Sequence, residues 1–418
     1  MPTLLEQLKD RNRWEDFYAY KTSLVCPKDF ANSLRGFIDE EAYLPVCEAI
    51  EHGERFPLPE KAVISKMSSQ KKRTVYVYPE AENTVLKMLT WLLLRRYDGV
   101  FSPALYSFRP GRTAKDAVRS LTRTRGIWRK YCYKADIHDY FNSIPVERFL
   151  PMLREVLADD PQLFAFLRRL LEEPCVLEKG AEIRESKGIM AGTPLSAFYA
   201  NLYLKDLDAH FCETGIPYAR YSDDIILFAD TQEELQDHIA YLRSFLDRHG
   251  LTVNPAKESV SAPGEPWTFL GFVCSEGRVD IAPATLRKLK QKMRRKARAL
   301  QRWRQRNGLS GEKAAAAFVR IFNRKLLENS ADSDLTWSYW FFSVINTADS
   351  LREIDAYAQD CLRFLISGRR TKARYNVRYE DLKKLGYRSL VHEYYSFTEP
   401  PASVSRSDGG AFPACRTE

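Results

Sequence analysis

Two adjacent aspartates, Asp223 and Asp224, stand in the middle of the stretch Tyr-Ala-Arg-Tyr-Ser-Asp-Asp-Ile-Ile-Leu-Phe-Ala at 218–229. The flanking residues are apolar and β-favouring. This predicts strands over 217–221 and 225–229, joined by a tight turn with both acids at its tip. Neighbouring carboxylates in an oily hairpin repel, and burial drives each towards its protonated form unless a cation lies between them. A divalent ion is the simplest remedy. Magnesium takes oxygen ligands, keeps several waters and usually shares its carboxylates with substrate phosphates. A pair alone therefore leaves the site incomplete, and a further aspartate is expected on a neighbouring strand.

The β-rich run Tyr-Cys-Tyr-Lys-Ala-Asp-Ile at 131–137 supplies it as Asp136, and a helix-start signal follows over 138–145. Phe141 lies five residues beyond Asp136. Between the two acidic segments runs Lys-Gly-Ile-Met-Ala-Gly-Thr-Pro-Leu-Ser-Ala-Phe-Tyr-Ala-Asn at 187–201. Its Gly188 and Gly192 let backbone approach a flat ligand closely, and a long helix is predicted over 196–210. An isolated Asp-Asp pair is usually a solvated surface turn; three blocks in this order and at this spacing are not. Together they resemble the palm motifs of reverse transcriptases: an aspartate with an aromatic five residues later, a Gly-x-x-x-Pro-Leu block, and the Tyr-x-Asp-Asp turn that begins at Tyr221.

The resemblance continues through residues 60 to 282. It implies an α+β right-hand polymerase with fingers, a ferredoxin-like antiparallel palm and an α-helical thumb. The corresponding division is 1–59 as an N-terminal helical extension, 60–283 as fingers and palm, 284–397 as a basic helical thumb and 398–418 as a disordered tail. By resemblance, Asp136, Asp223 and Asp224 are catalytic, and the metal positions are Asp136, Ile137, Asp223 and Asp224, holding two Mg2+ ions. Lys257, in the block Leu-Thr-Val-Asn-Pro-Ala-Lys-Glu-Ser-Val at 251–260, is the general acid for the leaving pyrophosphate. The basic turn at 64–79 corresponds to a fingers hairpin that grips the triphosphate. Arg73 is the leading candidate there, with Lys72 beside it and Lys66 or Lys71 as alternatives. Phe141, Gly192 and Tyr221 complete the nucleotide site. A ring under the sugar clashes with a 2′-hydroxyl, so Phe141 implies deoxynucleotides as substrates.

Nucleic-acid contacts are expected from three places. The first is Phe-Arg-Pro-Gly-Arg-Thr at 108–113, whose Arg109 and Arg112 either meet phosphate or tie fingers to palm. The second is Leu270 and Gly271 in the short hairpin at 267–274, which resembles the family's primer grip. The third is the segment 287–306, where Lys and Arg recur almost every second residue without an acid. Leu286, Leu289, Met293, Ala297 and Leu300 keep one face of that helix apolar, leaving Arg294, Arg295 and Arg298 for a polyanion.

Composition agrees. The 418 residues are 44% hydrophobic, enough for ordinary cores, and carry a formal charge of +9. Eight cysteines without Cys-x-x-Cys spacing read as reduced thiols in a cytoplasmic protein, and no apolar run reaches membrane-spanning length. Within the family, the length and the ending Asp-Leu-Lys-Lys-Leu-Gly-Tyr-Arg-Ser-Leu-Val-His-Glu-Tyr-Tyr at 381–395 resemble the bacterial "unknown group" enzymes of antiphage defence. Group II intron and retron enzymes are more distant. That branch implies a structured noncoding RNA as template, a DNA product and an antiviral role. An intron-type maturase, or a template-independent, protein-primed polymerase of the abortive-infection type, are the alternatives.

Overall fold

The structure, a computed structural model, describes residues 2–24, 26–65, 72–328, 337–369 and 371–399. These form two compact units, the first extending to Lys288 and the second beginning at Leu289. Among the described residues the strands are β1 (Glu60–Ser65), β2 (Lys72–Val77), β3 (Tyr131–Asp136), β4 (Cys175–Glu178), β5 (Ala181–Arg184), β6 (Tyr218–Tyr221), β7 (Asp224–Ala229), β8 (Ser259–Ser261), β9 (Trp267–Phe269), β10 (Phe272–Ser275) and β11 (Arg278–Ile281). All lie in the first unit.

The central sheet has the order β6-β7-β3-β8, with every neighbouring pair antiparallel. Along the chain it reads strand, helices, two strands, helix, strand, which is the ferredoxin-like arrangement. Burial explains why β3 and β7 take the middle: Cys132, Tyr133 and Ala135, and Ile225 through Ala229, are all buried. The helix Gln232–Arg248 lies against both strands. It starts at a capping box between Thr231 and Glu234, and buries Leu235, Ile239, Leu242 and Phe245 at helical spacing. A second sheet, β2-β1-β4-β5, carries the β1–β2 hairpin and the hairpin of the mixed-charge region 172–187. The third, β11-β10-β9, meets the central sheet through Trp267, whose ring stands edge-on to Phe228 at 5.3 Å.

One helical expectation is corrected. The stretch 196–210 is two helices, Ser196–Tyr203 and Lys205–Glu213, interrupted at Leu204. The first is buried almost all round; the break turns the chain so that Asp206 reaches water while Leu207, Asp208 and Phe211 stay inside. Between the central strands β3 and β6 lie two more helices, Val146–Val156 and Pro161–Glu172. Asp160 caps the second through the Leu163 N–H and also accepts the Leu4 N–H at 3.1 Å, which fastens the N-terminal helices to it.

The second unit is helical among its described residues. The long basic helix Pro283–Arg306 enters it at Leu289 and is followed by Gly311–Leu326, Trp337–Phe342, Asp349–Ser367, Tyr379–Lys384 and Leu390–Thr398. Phe341 and Phe342 are core residues. Asp355, 4% exposed, accepts the Tyr387 and Ser389 hydroxyls and the N–H groups of Leu390 and Val391, so a buried charge fixes the last helix. Thr398 belongs to that helix, and the tail expected over 398–418 lies outside the described residues from 400 onward.

Beneath the β6–β7 turn sits a fully buried ion pair. The Arg220 Nε and Nη2 donate to Asp208 at 2.7 and 2.5 Å, and Tyr218 donates its hydroxyl to the same carboxylate at 2.8 Å. Neither charged side chain is exposed. The guanidinium also donates to the carbonyls of Asn201 and Ser222. Removing one partner of such a pair leaves the other charge buried without an answer. Asp208→Ala should therefore cost about 3–5 kcal/mol, read as a lower urea midpoint, whereas Tyr218→Phe should cost only about 1 kcal/mol. A loss below about 1 kcal/mol for the alanine variant would mean that Arg220 is satisfied without Asp208.

Candidate active site

The antiparallel register of β3 and β7 sets Asp136 opposite Asp224. Asp223 occupies the turn before β7, so only one of the two adjacent acids is in the turn and the other opens the strand. Ser222, just ahead, has φ +60, a conformation that costs a non-glycine residue energy. The site holds it there from both sides: the Ser222 N–H donates to the Ser107 hydroxyl at 2.8 Å, and its carbonyl accepts from Arg220 at 3.2 Å. Ser107 in turn donates to Asn201.

One carboxylate oxygen from each of Asp136, Asp223 and Asp224 can be chosen so that all three lie within 4.8 Å of one another. Burial, then the charges of Asp136 and Asp224, push the Asp223 carboxyl up to about 6; burial also raises Asp224. The Lys257 ammonium donates to Asp136 Oδ2 at 2.5 Å, and Asn254 donates to its other oxygen at 3.3 Å. Lys134 lies 3.7 Å from Asp224. The chemistry of this donor set fits a hard divalent cation: three crowded carboxylates, oxygen only, two of them each facing one ammonium and Asp223 facing none of its own. Ile137 has only its main chain to offer; its N–H donates to the Asp223 carbonyl, so it links the two acid-bearing segments.

Asp136 and Asp223 line a cleft of about 930 Å3, together with Ile137, Phe141, Gly192 and Lys257. Thr74 and Val75 of β2 form its other wall. Arg73 and Lys72 precede them on that strand, with Arg73 paired to Ile64 and Lys72 to Ser65 of β1. The description there extends to the backbone, and Lys66 and Lys71 lie outside the described residues. Phe141 is half-buried beside Tyr140. Tyr221 closes β6, its half-buried ring 6.4 Å from that of Phe108.

Other expectations are redirected. Arg109 is not a phosphate contact: its side chain is 5% exposed and donates to both Asp98 oxygens and to the carbonyls of Ser102 and Asp98. Its hydrogen bonds fasten its own segment, from Asp98 to Leu105. Arg112 donates to the Pro103 carbonyl at 2.6 Å and remains half-buried. Gly188 and Gly192 both come close to protein main chain or side chain, and Gly192 also lines the cleft. A Cβ on Gly188 would come within 2.6 Å of the Phe141 carbonyl, and one on Gly192 within 2.8 Å of Val75. Both have positive φ. Leu270 and Gly271, at φ +49 and +90, make the β9–β10 turn, and Gly271 accepts the Ala282 N–H. Arg294, Arg295 and Arg298 lie on the second unit's basic helix, exposed to solvent.

Four residues escaped the sequence reading. Asn254 precedes a proline, an Asx-turn signal within a block already singled out. Lys134 stands two residues before Asp136, on the same face of β3. Phe108, at φ +58 and 40% exposed, lines the cleft. The partner of Arg220, Asp208, could not be found from spacing.

The model of the reverse transcriptase (RNA-dependent DNA polymerase) family matches residues 64–274. That is half of the chain, and the chain belongs to this family; its fold is the α+β right-hand polymerase fold with an antiparallel sheet. The group II intron-encoded protein LtrA of Lactococcus lactis subsp. cremoris is 23% identical over 202 residues, which is 46% of this chain and 33% of LtrA. The retron Ec86 reverse transcriptase of Escherichia coli is 28% identical over 106 residues, 24% of this chain and 33% of that protein. An uncharacterized 91 kDa protein in a cob intron of Schizosaccharomyces pombe is 26% identical over 151 residues, 36% of this chain and 18% of that one. The chain thus spans a third or less of these curated relatives. Apo telomerase from Candida tropicalis, truncated from its C-terminal domain, superposes at a TM-score of 0.43 and 12% identity over 54% of this chain and 55% of that one, a likeness too slight to argue from.

The Lys257 ammonium occupies a carboxylate that a metal would use, so the two compete. Lys257→Met should tighten Mn2+ binding in the absence of nucleotide roughly tenfold, about 1.4 kcal/mol, as measured by electron paramagnetic resonance. Asp223→Ala should abolish that binding. Unchanged affinity in the lysine variant would show that the ammonium does not compete for Asp136.

Proposed function

We propose that the protein is an RNA-directed DNA polymerase that extends a primer hydroxyl by nucleotidyl transfer. The observation that carries this reading is the gathering of one oxygen each from Asp136, Asp223 and Asp224 within 4.8 Å, the first two of these acids lining a cleft with Phe141 and Gly192. Mg2+ ions, two of them in this reading, would be held by the three aspartates and by the Ile137 carbonyl. When bound they supply the positive charge that acidifies the primer hydroxyl and steadies the leaving pyrophosphate. Lys257, half exposed beside Asp136, carries the proton that the pyrophosphate takes. Phe141 fills the space beneath the sugar and excludes ribonucleotides. Arg73 and Lys72, on the strand that forms the far wall, meet the triphosphate. Tyr221 backs the turn. In this reading the β1–β2 hairpin belongs to the fingers, the β6-β7-β3-β8 sheet is the palm, and residues 284–397 form the thumb. Leu270, Gly271, Arg112, Arg294, Arg295 and Arg298 face the template and product.

The template in this reading is a cognate structured noncoding RNA, and the synthesis serves defence against phage. Support comes from the resemblance of residues 381–395 to enzymes of that branch. The described cysteines are unpaired and no described helix is long and apolar enough to cross a membrane, which accords with a cytoplasmic setting. A second reading, an intron-type protein whose main task is to bind and help fold RNA, is favoured by the likeness to LtrA over 46% of the chain.

Asp223→Ala with Asp224→Ala should lower templated DNA synthesis by at least about 10³-fold while RNA binding persists. Phe141→Ala should raise the use of ribonucleotides relative to deoxynucleotides by one to two orders of magnitude. Both are read from primer extension on an RNA template, with sequencing of nucleic acid that copurifies. Undiminished DNA synthesis in the double variant would overturn the assignment of the acids, and RNA-only function would leave the intron-type reading.

A further inference from the structure

The second unit contains a concavity of its own, about 260 Å3 in volume, between the basic helix Pro283–Arg306 and the helix Asp349–Ser367. Its floor is apolar, built from Ala297, Cys361 and Phe364. Its rim carries Arg294 and Arg298 from the first helix, and Arg374 from a short helical turn after the second.

The charges along this face are unevenly answered. Lys290, one turn before Arg294, is paired with Glu353, and Arg304 donates to the Leu309 and Leu365 carbonyls. Arg294 and Arg298, which lie between them and one helical turn apart, have no acid or carbonyl partner among the described residues. The single acid on the rim, Asp360, is 3.4 Å from Arg374. Three guanidiniums therefore face one carboxylate around a pocket with an oily floor.

An aromatic surface adjoins the pocket. Tyr375 is 52% exposed, and the guanidiniums of Arg374 and Arg363 lie 4.5 and 5.5 Å from its ring centroid. Arg374 thus belongs to both the pocket rim and the stacking surface. Guanidiniums that take a phosphate beside an exposed ring that takes a base are the two halves of a single-strand site. A duplex carries its phosphates on a stiff convex backbone. Only a strand able to bend, or a strand end, can deliver one into a concavity.

We propose that this pocket is a seat for one unpaired nucleotide of a single-stranded nucleic acid: its phosphate between Arg294 and Arg298, its neighbouring base on Tyr375. The pocket is lined only by residues of the second unit, none of them a candidate metal ligand, so its occupation does not depend on metal or on catalysis.

The test is fluorescence anisotropy on the full chain in EDTA. A labelled 12-nucleotide single strand, as RNA and as DNA, is compared with a blunt duplex of the same sequence. Arg294→Gln with Arg298→Gln should weaken single-strand binding about tenfold or more and lower the salt dependence by about two charges. Lys292→Gln with Lys296→Gln, the same loss of charge at exposed positions outside the pocket, should weaken it less than about threefold. Tyr375→Ala should weaken binding with no change in salt dependence. All these positions are exposed, so folding is checked simply by thermal unfolding. Unequal loss between RNA and DNA would identify which strand is seated. Equal losses from the two charge pairs, equal losses for duplex and single strand, or no binding by the unaltered protein would overturn the proposal.

Discussion

Three carboxylates within 4.8 Å are a repulsive arrangement, and everything around them is organised to impose it. No carboxylate chooses such company. The antiparallel hydrogen bonds between β3 and β7 set Asp136 across from Asp224, and those strands are buried too deeply to slip. A one-residue shift would move every core side chain to the wrong face. The strain of the turn is met separately, by Ser107 and Arg220 acting on Ser222. Asp208 keeps Arg220 neutralised, so the charge beneath the turn is balanced within the protein and the acids above keep their own deficit. That deficit, seen in the raised Asp223 carboxyl, is what gives the site its appetite for cations.

The cleft is shaped by close backbone approach. Gly188 sits against the Phe141 and Asn142 main chain, and the Ile189 N–H bonds the Phe141 carbonyl. Phe141 is thereby held in place by the glycine block rather than by its own short helix. Gly192 does the same for β2, whose Tyr76 N–H donates to the Ala191 carbonyl at 2.8 Å. The wall, the ring and the acids are thus joined by main-chain contacts, which hold position more firmly than side-chain packing alone.

Much of this was legible beforehand, for identifiable reasons. Local signals carried the β6–β7 hairpin and the start of a helix at 196, because alternation, turn residues and helix-start signals act over a few positions. The three acids were legible through the order and spacing of their blocks. The break at Leu204 was not, since a uniformly apolar helix gives periodicity nothing to mark. Arg109 had two readings of equal standing in the sequence, and only the position of Asp98, eleven residues earlier, decides between them.

Composition and motif order by themselves determined the family likeness, the acids that matter and the basic character of 287–306, because those depend on residue types at short range. Tertiary structure alone decided which charges are answered. It buries Arg220 on Asp208, ties Arg109 to Asp98, lays Lys257 on Asp136, and leaves Arg294 and Arg298 facing a pocket. Ion pairing depends on distances of a few ångströms between residues far apart along the chain, and Coulomb energies at such separations change severalfold with burial. No pattern of letters encodes that distance until the sheet and the helices have closed.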